Sequence, residues 1–290
     1  MDPIIKQLAE ELGQQPEHVQ NVVRLLDEGN TIPFIARYRK ELHGAMDDTS
    51  LRTLEERLAY LRSLQERRQA VKSAIAEQGK LTRALSAAID GAGTLAEVED
   101  LYRPYKPKRR TRASIAREKG LEPLADTLSA QGPDCPDPAE EAEKYLNPEQ
   151  GVETAQEALA GASDILAERI SDDAELRKSL RSLLTSQGEL RVQAATEEDS
   201  VYRLYYAFSQ PVRKLQGHQI LAINRGEKEG KLKVRLEIDR ELALRTVRRA
   251  VVRPGSRAME FMKAAAEDAW DRLLFPSLER EVRGSLTDAA

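Results

Sequence analysis

The sequence predicts a mainly α, multi-helical protein with a helix-turn-helix-like N-terminus, a long central helix and a small β element near residues 190–238. Three observations carry that reading. Aromatic residues make up only 4% of the 290, too few for a sheet-rich sandwich. The hydrophobic 40% is mostly Leu, Ala, Val and Ile, the mixture of packed helices. Apolar residues also recur at three- and four-residue spacings between capping signals over most of the chain.

Asp2-Pro3 pairs a capping side chain with proline at the first helical position. Ile4, Ile5, Leu8 and Leu12 follow on one face, and Gly13 ends the helix. Pro16 opens the second helix, with Val19, Val22, Val23 and Leu26 on its face and Gly29 past its end. Thr31-Ile32-Pro33 opens a third, short helix carrying Phe34, Ile35 and Tyr38. Phe34 and Tyr38 lie i, i+4 and are expected in the core rather than stacking on bases. Three short helices with tight turns resemble a helix-turn-helix. Arg37, Arg39, Lys40 and His43 at its end either complement the helix C-terminus or belong to a recognition surface.

Ser50 is expected to cap the longest helix. Leu51, Leu54, Leu58, Leu61, Leu64, Val71 and Ile75 line it as far as Gly79, about 40 Å at the helical rise. The stripe weakens at Arg67-Arg68, which predicts a packed strut rather than a coiled coil. Thr82 and Thr94 cap two short helices on either side of Gly91-Ala92-Gly93. Pro104 and Pro107 then break the helical pattern, which resumes near Ala113 and again at Leu121-Glu122-Pro123-Leu124. A proline-rich turn over Gln131 to Pro138 leads into an acidic helix whose Glu140, Glu141 and Glu143 read as a solvated face.

Residues 152–186 read as further helices, and Leu190 with Val192 as a short strand. Leu232, Val234, Leu236 and Ile238 alternate with Lys233, Arg235 and Glu237, the period of a half-buried strand, with Gly226 to Gly230 as the turn before it. Asp239 caps an arginine-rich helix. A last helix runs from about Ser256 through Trp270 to Leu274, and Pro276 opens another segment. The expected domains are helix-turn-helix-like helices over 1–49, a helical region over 50–200 containing a basic segment at 101–119, and a helical central region with the short strand over 201–290.

Net charge is only −4, from 45 bases and 49 acids, but it is unevenly spread. Residues 101–119 carry eight bases and one acid, 120–176 two bases and fifteen acids, and 210–257 thirteen bases and five acids. Local fields of opposite sign therefore alternate along the chain. No apolar run approaches the ~20 residues that span a bilayer, so no membrane segment is expected. Met1-Asp2-Pro3-Ile4 lacks the basic and apolar start of a signal peptide. A lone cysteine, Cys135, makes no intrachain disulfide, and a cytoplasmic location is expected.

Candidate chemistry is sparse. His18, His43 and His218 are too far apart for a local zinc motif. Gly226-Glu227-Lys228-Glu229-Gly230-Lys231 resembles a phosphate loop, but it is one residue short, and Leu232 replaces the hydroxyl that would hold magnesium. No dinucleotide fingerprint and no nucleophile elbow is present. A protein without catalytic activity, metal or cofactor is expected. The basic segment is the exception. Arg103, Lys106, Lys108, Arg109, Arg110, Arg112, Arg117 and Lys119 stand on a backbone stiffened by Pro104 and Pro107, with Tyr102 and Tyr105 between them. Such clustering is the footprint of phosphate binding. Docking on a partner protein, or on the chain's own acidic stretch, is the competing reading.

Three blocks carry a family resemblance. They are Thr31-Ile32-Pro33-Phe34-Ile35-Ala36-Arg37-Tyr38-Arg39-Lys40-Glu41; the run from Asp100 through Arg112 into Ala116-Arg117-Glu118-Lys119-Gly120-Leu121-Glu122-Pro123-Leu124; and Gly217-His218 with Leu221-Ala222-Ile223-Asn224-Arg225-Gly226-Glu227. Together they resemble the Tex family of bacterial transcription accessory proteins, over the whole chain. His43-Gly44-Ala45-Met46 and Asp47-Asp48 follow the family's turn only loosely. The resemblance implies a cytoplasmic factor that binds nucleic acid, RNA or DNA with RNA favoured, in transcription. The alternative is a module that docks on RNA polymerase or another transcription protein. It also implies that an RNase H-like domain, helix-hairpin-helix motifs and an RNA-binding OB-fold follow Pro276-Ser277-Leu278-Glu279-Arg280-Glu281-Val282-Arg283, so the sequence is expected to be an N-terminal fragment.

Overall fold

The computed structural model describes residues 2–107, 109–197 and 199–290, most of them helical. They pack as two compact units, 1–102 and 103–290.

The first unit contains α1 (Pro3–Leu12), α2 (Pro16–Asp27), α3 (Ile32–Tyr38), α4 (Asp48–Glu77), α5 (Arg83–Gly91) and α6 (Leu95–Tyr102). The Asp2 carboxylate accepts the Ile4 amide at 2.8 Å, and Gly13 ends α1 with φ 62°, a left-handed conformation that glycine adopts without strain. The cap of α4 is Asp47, not Ser50. Its carboxylate accepts the Ser50 amide at 2.7 Å, so the helix begins three residues earlier than the hydroxyl suggested. The stripe from Leu51 to Ile75 is buried, and the other helices of the unit pack along α4. In α2 the inward leucine is Leu25, with Leu26 only half-buried.

Helix α3 overturns an expectation. Phe34 is 37% and Tyr38 57% exposed, while Ile32 and Ile35 are buried. Two turns have room for one inward pair. The isoleucines at i, i+3 take it, which rotates the rings outward.

In the second unit, α7 (Arg112–Glu118), α8 (Glu122–Ala130), α9 (Pro138–Ala142), α10 (Ala155–Ser171) and α11 (Ala174–Gln187) precede β1 (Glu189–Ala194) and β2 (Ala207–Pro211). Then come α12 (Gly217–Lys228), β3 (Leu232–Glu237), α13 (Arg240–Val251), α14 (Met259–Asp268) and α15 (Phe275–Asp288). Helix α10 is the axis, with α7, α8, α9 and α14 packed around it. Gly161 permits the closest approach, since a Cβ there would lie 2.3 Å from Leu121 Cδ1 and 3.3 Å from Ala116 Cβ. Leu121 and Ala116 are buried and cannot swing away. Gly161→Val is therefore expected to destabilise this unit by about 1–3 kcal/mol, read as a lower urea midpoint with unchanged slope.

The antiparallel sheet has the order β2-β1-β3. Val192 sits opposite both Phe208 and Val234, and Leu190 opposite Leu236, so one face is buried. Strand β2 gives little sequence signal, because it is a five-residue edge ending in Pro211. Two further expectations are corrected. Residues 226–228 are the last turn of α12, which leaves Glu229-Gly230 as the turn before β3. Pro276 does not open a separate segment. α14 runs into α15 through a π-helical turn at Ala269–Leu274, closed by the Phe275 amide on the Trp270 carbonyl. Proline has no N–H and its ring presses on the carbonyl four residues back, and the widened turn before it takes up that misfit. Glu141 is not solvated. It is buried and accepts Lys144 Nζ at 2.6 Å. Among the described residues no helix is long and apolar enough to cross a membrane.

Candidate nucleic-acid interface

Pro104 and Pro107 stop the helical backbone after Tyr102, leaving a 3₁₀ turn at Arg103–Tyr105. Thr111 restarts it through a capping box. Its Oγ1 accepts the Ser114 amide at 3.0 Å, and Ser114 Oγ accepts the Thr111 amide at 2.8 Å. The basic segment is thus a short strap held at both ends, and the structure sorts its eight cations into different environments.

Arg103 turns inward, with its NH2 3.1 Å from Ser277 Oγ and 3.3 Å from Glu281 Oε1. Arg117 donates to Glu168 at 2.9 Å and to Glu122 at 3.3 Å. Lys119 Nζ donates to the Gly151 carbonyl at 2.9 Å. Lys106 is half-buried in a cleft lined by Glu168, Asp172 and Asp173. Part of the segment therefore does lie on the chain's own acidic stretch. Arg109, Arg110 and Arg112 are exposed. Among the described residues Arg110 reaches only Glu118, at 3.3 Å between two well-exposed side chains, a contact worth little in water. Arg109 and Arg112 make no hydrogen bond or ion pair among the described residues. Lys108 lies outside the described residues. Tyr102 is half-buried under the Arg67 guanidinium, 5.5 Å from its ring centre, and Tyr105 is half-buried too.

Two acids of this unit are shifted in opposite directions. The hydrogen bond from Arg169 is the main reason Glu122 sits below the ordinary glutamate range, with Arg117 adding to it. Burial pushes Asp164 upward, against the pull of Arg272 and Arg112. The second basic stretch is sorted in the same way: Arg213, Lys214, Lys233, Arg235, Arg245 and Arg249 are exposed, while other arginines are committed to partners. Arg248 is paired with Glu267 and Glu241, Arg240 bonds Asp271 at 2.6 Å, and Arg253 donates to the Ala130 carbonyl at 2.8 Å.

Two features are not legible in the local sequence. One is the buried Arg177, whose NH2 lies 2.5 Å from Glu281 Oε1, with Arg181 2.9 Å from Oε2. No local pattern connects residues so far apart in the chain. The other is the outward-facing pair Phe34 and Tyr38.

A family model described as Tex-like protein N-terminal domain matches residues 2–76, and one described as Tex central region-like matches residues 134–290. Neither span includes the strap. The chain is 50% identical over 256 residues to Protein tex of Bordetella pertussis, covering 87% of this chain and 32% of that protein. It is 40% identical over 299 residues to Transcriptional accessory protein Tex of Neisseria gonorrhoeae, covering 99% and 39%. It is 32% identical over 306 residues to human S1 RNA-binding domain-containing protein 1, covering 99% and 30%. The chain thus spans between about a third and two fifths of the length of the bacterial curated relatives it matches.

Proposed function

This chain belongs to the Tex family of transcription accessory proteins, and from that membership we propose that it contributes a nucleic-acid contact, with RNA the favoured ligand, through the strap at residues 103–119. The observation that carries the reading is the sorting of the cations. Arg103, Arg117 and Lys119 fasten the strap to the protein, while Arg109, Arg110 and Arg112 stand in solvent on a braced backbone. Exposed cations with at most a weak surface partner meet phosphates without first breaking strong internal pairs. The names of two relatives, one a transcriptional accessory protein and one an RNA-binding-domain protein, support the same direction.

The role is binding rather than turnover. Guanidinium groups stay charged at every accessible pH and do not serve as general bases. RNA, DNA or ATP incubated with the chain and magnesium or manganese is expected to stay intact. Turnover that co-purifies and is lost on mutating one of the chain's own acids would overturn this. The direct test of the interface is Arg109→Ala with Arg110→Ala. Loss of two phosphate contacts is expected to weaken binding evenly across sequences and to flatten the log K against log salt line by about 2 units. Unchanged affinity and slope in a folded variant rejects the strap as the interface.

A second reading has its own observation. Val201 and Leu204, between β1 and β2, are 89% and 88% exposed. Such bare apolar side chains favour docking on RNA polymerase or another transcription protein. A nuclease-resistant complex with purified polymerase that Val201→Ser with Leu204→Ser abolishes is its expected signature.

A further inference from the structure

We propose that the exposed face of α3 is a second nucleic-acid site, at which unpaired bases of a single strand stack on Phe34 and Tyr38. The inference rests on this chain binding nucleic acid, but it uses none of the strap's residues.

The two rings lie 5.2 Å apart between centres, inclined at 46°, and both are open to solvent. They flank each other on a helix fastened from behind by buried Ile32 and Ile35, so the platform does not need ordering before it binds. Their surroundings are cationic. The Arg39 guanidinium lies 5.5 Å from the Phe34 ring centre. Arg37 and Lys40 are exposed and make no hydrogen bond or ion pair among the described residues. Two acids are nearby in sequence. Asp48, which lines the same hollow, is bound to Arg52 Nε at 2.8 Å, and Glu41 is exposed in the following turn. Three cations against one unpaired acid leave the face positive.

Charge and shape select the occupant. A protein helix seeks a continuous aliphatic groove, whereas the apolar surface here is two rings and Pro33 set among cations. Stacked rings with adjacent guanidiniums suit a flat π-surface joined to phosphates. A base inside a duplex has both faces covered, so the ligand is single-stranded.

The experiment uses the whole chain and short oligouridylate and oligothymidylate, with a matched duplex as control. In a strand carrying 5-iodouridine, irradiation is expected to cross-link the wild-type protein at Phe34 or Tyr38, identified by mass spectrometry. Phe34→Leu with Tyr38→Leu keeps apolar bulk but removes the π-faces. It is expected to lower single-strand affinity about fivefold to a hundredfold, the loss of one stacked base, and to leave duplex affinity unchanged. Tyr38→Phe is expected to bind as wild type.

Cross-links confined to other residues, together with unchanged single-strand affinity in the double variant, overturn the proposal. The strap variant separates the two sites. If Arg109→Ala with Arg110→Ala weakens binding and the α3 variant does not, the strap reading stands and this one fails. The reverse pattern rejects the strap and supports α3. Wild-type protein that binds neither strand at low salt defeats both. If the α3 variant loses only a nuclease-resistant protein complex, the face docks a protein and the inference is wrong.

Discussion

Replacing Glu281 with alanine is expected to cost the second unit about 3–5 kcal/mol. Its carboxylate receives Arg177 at 2.5 Å, Arg181 at 2.9 Å, Arg103 at 3.3 Å and Ser277 Oγ at 3.1 Å. Arg177 is 0% exposed, and it also donates to the Ser171 carbonyl and Ser277 Oγ. Without the carboxylate, a fully buried guanidinium faces two others, and removing one partner of a buried pair costs far more than the pair's own net worth. Glu281→Gln keeps an acceptor but not the charge, so it is expected to fall between wild type and alanine in urea unfolding. Acid should act on the same group. Burial alone would push the Glu281 carboxyl up, but the Arg181 hydrogen bond and the charges of Arg177 and Arg181 hold it below the ordinary glutamate range. The unfolded chain therefore takes up the proton first. This carboxylate's stabilisation is present above the ordinary range and is lost as pH falls through the folded value. Wild type should lose stability on acidification through that window more steeply than Glu281→Gln. Parallel pH profiles would remove Glu281 from the account.

Ile35→Ala is expected to cost the first unit about 2–5 kcal/mol, while Phe34→Ala, one residue away, changes stability by about 0.5 kcal/mol or less. Ile35 is fully buried and Phe34 is not. Truncating the isoleucine leaves a void against α4, whereas truncating the phenylalanine removes surface that water already wets. Separate urea titrations of the two variants test the assignment. Equal losses would place the phenylalanine back in the core.

The same helix shows where sequence patterning stops being decisive. In α4 seven buried apolar positions repeat over thirty residues, and the period alone names the stripe residue by residue. In seven-residue α3 two apolar pairs, Ile32 with Ile35 and Phe34 with Tyr38, fit the helical period equally well. Size favours the rings, but packing selects the isoleucines. Capping is legible where the cap precedes a proline, as at Asp2, and ambiguous at α4, where Asp47, Asp48, Thr49 and Ser50 all compete. The strap is visible as a run of bases, since charge density is a property of composition. Which of those bases face inward is not, because the answer lies in Glu168 and Glu281, 51 and 178 residues from their partners Arg117 and Arg103. Strand β2 is hidden for a related reason, since its pairing with β1 rather than its own composition makes it a strand.

The cluster on Glu281 also sets an order of events during synthesis. Arg103, the first residue of the second unit, waits for an acid 178 residues later, and Arg177 for one 104 residues later. While a ribosome is making the chain between them, these guanidiniums lack the Glu281 carboxylate. Burying Arg177 before Glu281 emerges is unfavourable, so the second unit closes late and from its final helix backwards. The chain of the first unit is complete at Tyr102. Nascent chains arrested short of residue 281 are thus expected to resist brief proteolysis up to about residue 102 and to be cut freely beyond it, with protection spreading downstream only once α15 has been released.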